Sequence, residues 1–410
     1  MFKELYKNRL ILIRMLRIRF NMLMYRMINR NNRNFSPDEA QREIADRIRN
    51  GKGCRVAVLL TGKGIGDAIA VSGFMHILKQ HSCEVSIVCY DRLLGVLPKL
   101  FPYADKFIRV VKHDSIFKYF GQREDVDAVV DFSDPDVNFD HHKLKSLCAL
   151  NCRNIIGFNQ DLEHSGVPIP ENPPRDFFSA IRSVYAKSFT NIENRPFLSR
   201  PVQVLRDYFG ISLAEGDYRY YVDVDTATEK RVTEWLTDIK EQYLSRKSGE
   251  ASGSGAAPRL VLINARASSL NRSLSAGIID KTCEYLLSCS GNYLMVLMNI
   301  DPGELKQKAP EIIFNPFKSF EEVVMLIKHA DLILSPDTSV VHVSAVYNKQ
   351  GIFMYPRTKS VLGYNNDVVW SPVHENGLQV YFDPEPGAPN DLRDLKFEVL
   401  REALVSKGIV

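Results

Sequence analysis

The feature that most constrains this chain is a strand–turn–helix alternation that runs through the body twice. RVAVLLT (Arg55 to Thr61), EVSIVCY (Glu84 to Tyr90), KFIRVV (Lys106 to Val111), DAVVDF (Asp127 to Phe132) and NIIGF (Asn154 to Phe158) are short, nearly continuous apolar runs. Apolar runs of this length, separated by helical stretches, describe strands buried on both faces of a parallel sheet. The second half repeats the pattern with RLVLINA (Arg259 to Ala265), YLMVLMN (Tyr293 to Asn299), EIIF (Glu311 to Phe314), DLILS (Asp331 to Ser335) and GIFMY (Gly351 to Tyr355), and FEEVVMLIKHA (Phe320 to Ala330) is the clearest helix between them. The expectation is an α/β chain of two Rossmann-like domains with a cleft between them. The boundaries read as 1–50 for a helical extension, 51–225 and 226–390 for the two domains, and 391–410 for a last helix available to pack back on the first domain. The Ser/Gly/Ala stretch Ser248 to Pro258 has the composition of a flexible loop.

Charge is placed unevenly. Met1 to Phe35 holds nine Lys/Arg against Glu4, a net +8, so a chain total of +4 leaves the remainder at −4. A slightly acidic body does not call for nucleic acid as a partner. The leader's apolar residues are interrupted by Arg9, Arg14, Arg17, Arg19 and Arg26, so neither a membrane span nor a cleavable signal fits. A cationic amphipathic helix remains. It suits either an anionic membrane surface or packing on protein, with Asn29 to Ser36 as a hinge into the body. Seven cysteines without a Cys-x-x-Cys pair read as reduced thiols of a cytoplasmic protein.

Three turns that each leave a strand and enter a helix carry the candidate chemistry. The first, Thr61 to Asp67, offers Lys63, Gly64 and Gly66 beside Asp67. Its glycines permit close approach to another molecule. Asp67 is either a helix cap or a general base at a strand's carboxyl end. The second, Asn264 to Leu274, brings Asn264, Ser268 and Ser269 together with Arg266 and Arg272; arginine there supplies planar donors for phosphate, or the stretch is a solvated loop. The third, Ser335 to Ala345, sets Asp337, Thr338, Ser339 and His342 at a helix start, an arrangement suited to a sugar diphosphate.

These residues resemble glycosyltransferase family nine, the lipopolysaccharide heptosyltransferases and their relatives. The opening Gly-x-x-Gly-Asp turn is matched by Gly62 to Asp67, and the most specific stretch is ADLILSPDTSVVHVSAVYNKQGIFMYPRT, Ala330 to Thr358. The similarity runs from about Val56 to Thr358. It implies the GT-B arrangement, two Rossmann-like domains facing across a cleft, here with an N-terminal basic helical extension. It further implies an inverting, metal-independent transfer of a sugar, by default heptose from ADP-heptose, to a lipopolysaccharide, lipooligosaccharide or related surface-glycan acceptor. By resemblance, Asp67 deprotonates the acceptor hydroxyl and Arg272 neutralises the leaving diphosphate. Asp337 contacts donor sugar hydroxyls, with the backbone of Thr338 and Ser339 on phosphate and His342 nearby. Donor binding by Asn264, Ser268 and Ser269, and acceptor binding by Lys63, Gly64, Gly66, Asp134 and His141, complete the expected set. No cofactor is implied. The location implied is cytoplasmic, with the basic leader offering a peripheral hold on the cytoplasmic face of the inner membrane.

The sequence departs from the family pattern at Ser339, where glycine is usual, at Tyr355 to Thr358, and after Arg272, where tryptophan is common. These departures bear on the identity of sugar and nucleotide. Rival readings stand beside the resemblance. Asp134, Asp136, Asp140, His141 and His142 could hold a divalent cation, though their spacing fixes no ligand geometry. An NAD-linked oxidoreductase would use the first turn, which lacks the G-x-G-x-x-G spacing, and a noncatalytic nucleotide- or saccharide-binding protein would keep the fold without the base.

Overall fold

Val56, Ala57 and Val58 are fully buried in succession in the strand Arg55–Leu59 (β1), so both faces of the sheet they start must be covered. The computed structural model describes residues 13, 16, 19–20, 23–24, 35–61, 64–111, 114–119, 123–134, 140–160, 184–190, 194–248, 257–289, 291–359, 365–384 and 390–409. They fall into two units, one running to Tyr218 and the other covering Arg219–Lys359 and Asn365–Val410.

In the first unit β1 is followed by Glu84–Tyr90 (β2), Lys106–Val110 (β3), Ala128–Val130 (β4), Ile155–Phe158 (β5) and Lys187–Phe189 (β6). All pair in parallel, in the spatial order β3-β2-β1-β4-β5-β6. This is the doubly wound order whose direction reverses beside β1, and the reversal opens a crevice at the strands' carboxyl ends. Short side chains let β1 and β2 start close together. Gly53 has φ +59°, and a Cβ there would sit 2.0 Å from the Ser82 carbonyl oxygen, so no other residue fits.

Helix Pro37–Arg49 (α1) explains itself from its ends: Ser36 caps it, proline stands in the first turn with Asp38 and Glu39, and Arg47 and Arg49 close it. Residues of α1 carry four acids against three arginines, Ile44 and Ile48 are buried, and Arg47 pairs with Asp127 at 3.4 Å. The helix is part of the first unit's body. Ile65–Ala70 (α2) and Ser72–Gln80 (α3) follow β1, divided at Val71, and the Tyr218 hydroxyl accepts from Phe74 N–H and donates to the Ala70 carbonyl, both at 3.0 Å. Asp140–Cys148 (α4) covers the other face through Leu144, Leu147 and Cys148, which pack with Ala57, Leu59 and Ile155. Ser199–Asp207 (α5) completes the unit's main helices.

The second unit opens with the 23-residue helix Thr226–Ser248 (α6) and repeats the sheet. Its strands are Arg259–Asn264 (β7), Tyr293–Met298 (β8), Ile312–Phe314 (β9), Leu332–Pro336 (β10), Gly351–Pro356 (β11) and Gly377–Phe382 (β12), in the parallel order β9-β8-β7-β10-β11-β12. Ala276–Ser288 (α7) lays Ile278, Ile279, Cys283 and Leu286 on one face of it. Phe320–His329 (α8) and Ser339–Val346 (α9) follow β9 and β10. The last helix, Phe397–Ser406 (α10), buries Leu400, Ala403 and Leu404 in the core that holds Val261 and Ile263. The apolar face of this last segment is thus spent within the second unit.

Candidate functional site

In the second unit, the carboxyl ends of β7 and β10 lie side by side where the strand order reverses. Asn264 ends β7 and is buried. Its amide donates to Ser335 Oγ at 3.0 Å and Thr338 Oγ1 at 3.3 Å, and its carbonyl oxygen accepts from Asn299 Nδ2 at 2.7 Å. The Thr338 hydroxyl also caps α9 by accepting from Val340 N–H at 3.2 Å. Asn264 and Thr338 are thus the ties that hold two turns together, and their side chains are committed to that work. The Ser339 N–H, first in the helix, has no intrahelical acceptor, as at every helix start.

One guanidinium gathers the rest of this site. Arg272 Nη1 donates to Asp337 Oδ2 at 3.2 Å, Nε to Ser269 Oγ at 3.2 Å, and Nη2 to Ser268 Oγ at 2.5 Å. Arg272 and Asp337 are partly exposed, so the pair sits at the surface of the site. Arg266, from the same turn, is drawn off to Glu304 and the Asn299 carbonyl. His342 stands apart from this group. It is buried in α9, with its ring edge-on to Tyr220 and Trp370 at 5.7 and 5.9 Å, so packing fixes its position.

In the first unit, Asp67 is the third residue of α2 and is partly buried; its Oδ2 accepts from Gly64 N–H at 2.8 Å. That bond makes it a helix cap and also orients the carboxylate beyond the carboxyl end of β1. Gly64 and Gly66 lie in this turn, and Gly62 and Lys63 lie outside the described residues. Asp134, an expected acceptor contact, is held by protein groups. Both of its carboxylate oxygens accept from Arg200 Nη2, at 2.9 and 3.0 Å, and Oδ1 also accepts from Asn159 Nδ2 at 2.7 Å. His141 is in the first turn of α4, and its side chain, like residue Asp136, lies outside what is described. Asp91, the acid after β2, is held by Arg109 at 2.5 and 3.1 Å, so its oxygens are engaged.

Sequence reasoning missed a buried charged group in the first unit. Asp131, just beyond β4, is fully enclosed and accepts from Ser133 N–H at 3.0 Å and from Tyr185 OH at 2.8 Å, with Lys143 Nζ at 3.3 Å. Burial pushes its carboxyl up, but the Lys143 charge and the Ser133 and Tyr185 hydrogen bonds outweigh it and hold Asp131 below the usual carboxylate range. Lys143 also donates to the Asp134 carbonyl at 2.9 Å, and Arg200 Nη1 donates to the Phe132 carbonyl at 2.8 Å. The signal was an acid closing the DAVVDF strand, which reads as strand when only hydrophobicity is followed.

Each unit thus holds one parallel sheet of the same strand order, with polar residues at its switch point. The chain is similar to a putative lipopolysaccharide heptosyltransferase 4 of Escherichia coli (strain K12), 24% identical over 182 residues. That match covers 44% of this chain and 45% of the relative, less than half the relative's length. Among solved structures, the glycosyl transferase family 9 protein of Veillonella parvula superposes with a TM-score of 0.57 at 12% identity, over 87% of this chain and 97% of that one. The E. coli heptosyltransferase WaaC with ADP gives 0.57 at 14% identity over 86% and 99%, and E. coli ADP-heptose heptosyltransferase II gives 0.54 at 12% over 87% and 98%. These likenesses establish the GT-B fold. No protein-family profile matches the chain.

Proposed function

We propose that the protein is a glycosyltransferase that moves a sugar from a nucleotide-sugar donor to a lipopolysaccharide-type acceptor, with heptose from ADP-heptose as the first donor to test. The observation that carries this reading is the Arg272 guanidinium held among Asp337, Ser268 and Ser269 beside the first turn of α9. A fork of donors and a helix N-terminus suit a diphosphate, and an adjacent carboxylate suits sugar hydroxyls. The similarity to a putative lipopolysaccharide heptosyltransferase, and to structures solved with ADP and with ADP-2-deoxy-2-fluoro heptose, supports the same choice of donor.

In this reading the acceptor hydroxyl gives its proton to Asp67 as its oxygen bonds to the anomeric carbon. The bond from that carbon to the diphosphate oxygen breaks on the opposite side, and the configuration inverts. Arg272 and the α9 N-terminus take up the charge that develops on the departing ADP, the task a metal ion performs in other transferases. Asn264 and Thr338 act by holding the two turns in register.

The test is thermal unfolding with ADP, GDP, UDP, CMP, dTDP, their sugar conjugates including ADP-heptose, and NAD, all in EDTA. A ligand at 100 times its dissociation constant adds about 2.7 kcal/mol to the stability of the native state. Stabilisation by one nucleotide sugar in EDTA supports the donor and the metal-free reaction. A response to NAD alone overturns the reading.

A further inference from the structure

We infer that Cys54 and Cys83 form an oxidisable dithiol, a modification site at the amino ends of β1 and β2 that hydrogen peroxide closes to a disulfide. Their sulfurs lie 3.7 Å apart, and both residues are buried. The spacing follows from register. β1 and β2 run in parallel from the pair Arg55 and Glu84, so Cys54 and Cys83 stand opposite each other one position earlier, and the Glu84 N–H donates to the Cys54 carbonyl at 2.9 Å. Register neighbours on adjacent strands share a face and are about 4.8 Å apart, within the roughly 4.4–6.8 Å that a disulfide spans between Cα atoms. The preceding residues press the same two segments together. Gly53, at φ +59°, leaves no room for a Cβ against the Ser82 carbonyl, and Ser82 itself has φ +62°. Closure thus moves two side chains and leaves the strand pairing intact.

Surroundings decide which sulfur attacks. A hydrogen bond from Cys54, with the Lys79 and Arg47 charges, holds the Cys83 thiol below its usual value despite burial. The same bond, burial and the Asp127 charge push Cys54 up. Burial raises Cys89, Cys148, Cys152 and Cys283 each to about 12, so their thiolates are scarce. The Cys83 thiolate takes one oxygen of hydrogen peroxide as the O–O bond breaks; the other oxygen leaves and is protonated to water, and Cys83 becomes a sulfenic acid. The Cys54 sulfur then attacks Cys83 Sγ and loses its proton, and the S–O bond breaks to release a second water. The two thiols give up two electrons, and the peroxide is reduced to two waters. Access comes from the edge of the unit, where Lys52, His81 and Ser82 are exposed and the two cysteines lie just beneath them. The closed loop runs from Cys54 to Cys83 and encloses β1, α2 and α3. Asp67 stands beyond the opposite end of β1, so the bond braces the strand that leads to its turn without touching it, and nothing in this depends on a sugar donor.

Peptide mass spectrometry of the full chain tests the inference. The native chain is reduced, desalted, treated with hydrogen peroxide, alkylated, and digested with trypsin without reductant. The expected product is the peptide Gly53 to Arg55 joined to Gln80 to Arg92, two hydrogens lighter than their sum, with fragmentation placing the bond on Cys83 and not on Cys89. Thiol titration in denaturant should fall by two from the seven of the reduced chain. The unfolding midpoint should rise by about 5 °C and return with dithiothreitol, because a bond between residues 29 positions apart restricts the unfolded chain. Cys54→Ser should leave a Cys83 sulfenic acid that dimedone traps, and Cys83→Ser should give no dimedone adduct at Cys54. The linked peptide is read on the unsubstituted chain, so it decides the matter whether or not the serine variants fold. Retention of all seven thiols, a bond from Cys83 to Cys89 or between chains, or a Cys54–Cys83 bond that forms only in urea overturns the proposal. A dimedone adduct at Cys54 in folded Cys83→Ser overturns the assignment of Cys83 as the attacking sulfur.

Discussion

Arg272 Nη1 lies 3.2 Å from Asp337 Oδ2, joining the turn after β7 to the turn after β10. An anion arriving at this site competes with Asp337 for the guanidinium, so the two residues are expected to divide donor recognition between them. Arg272→Ala should weaken ADP and ADP-sugar binding alike by about 10- to 100-fold, the scale of a lost charged hydrogen bond, and Arg272→Lys should fall between, since the charge remains but the fork does not. Asp337→Asn should leave ADP affinity equal or higher while erasing the preference for ADP-sugar over ADP. Titration calorimetry on the three variants reads all of this directly.

Lys143 and Asp131 are a buried pair, and the two partners are not interchangeable with water. Lys143→Met leaves Asp131 enclosed without its counter-charge and is expected to cost about 3–5 kcal/mol in urea unfolding, whereas Lys143→Met with Asp131→Leu should recover much of that loss. Because the folded-state Asp131 carboxyl is held below its unfolded value, the stability it contributes is present at neutral pH and lost as pH falls below the ordinary carboxylate range.

His374 shifts the acid limit of the second unit. Both ring nitrogens are buried without a hydrogen bond, and burial, with a smaller push from the Lys407 charge, lowers its pKa to about 4. The unfolded chain takes up the proton near pH 6.5 and the folded chain does not, so this stability is complete above about pH 6.5 and declines as pH falls toward about 4, by up to about 3 kcal/mol. His374→Leu should flatten the unfolding midpoint across that interval. A slope identical to that of the unsubstituted chain would contradict the assignment.

Gly53→Ala places a methyl group against the Ser82 carbonyl at a positive-φ position. The expected loss is about 1–3 kcal/mol in chemical denaturation, larger than a glycine-to-alanine change elsewhere, where the usual effect is neutral or stabilising.

How far the sequence could be read follows from what each element depends on. β1, β2, β7 and β10 were legible because buried parallel strands need continuous apolar runs, and the turns after them were legible because a carboxyl-end crevice needs glycine, acid and hydroxyl in short order. Lys187–Phe189 and Gly377–Phe382 were missed. Edge strands of three and six residues are only partly covered, so they carry polar residues and lose the pattern. The fate of individual polar groups was the least readable. Asp134 and Asp337 look alike in sequence, yet one meets Arg200 and Asn159 and the other meets Arg272 at the surface, because residues 66 and 65 positions away decide what each carboxylate meets. The same holds for His342, whose neighbours Tyr220 and Trp370 come from distant segments.

The central claim is that Asp67 is the base for sugar transfer, and one pair of measurements on Asp67→Asn tests it. Asparagine retains an oxygen for the Gly64 N–H, so the cap persists and unfolding should shift by less than about 1 kcal/mol. With ADP-heptose and a heptose-deficient lipopolysaccharide acceptor in EDTA, the account predicts that ADP release falls by about 10²- to 10⁴-fold while donor-induced thermal stabilisation is unchanged. Turnover within threefold of the unsubstituted protein, with donor binding intact, would contradict it.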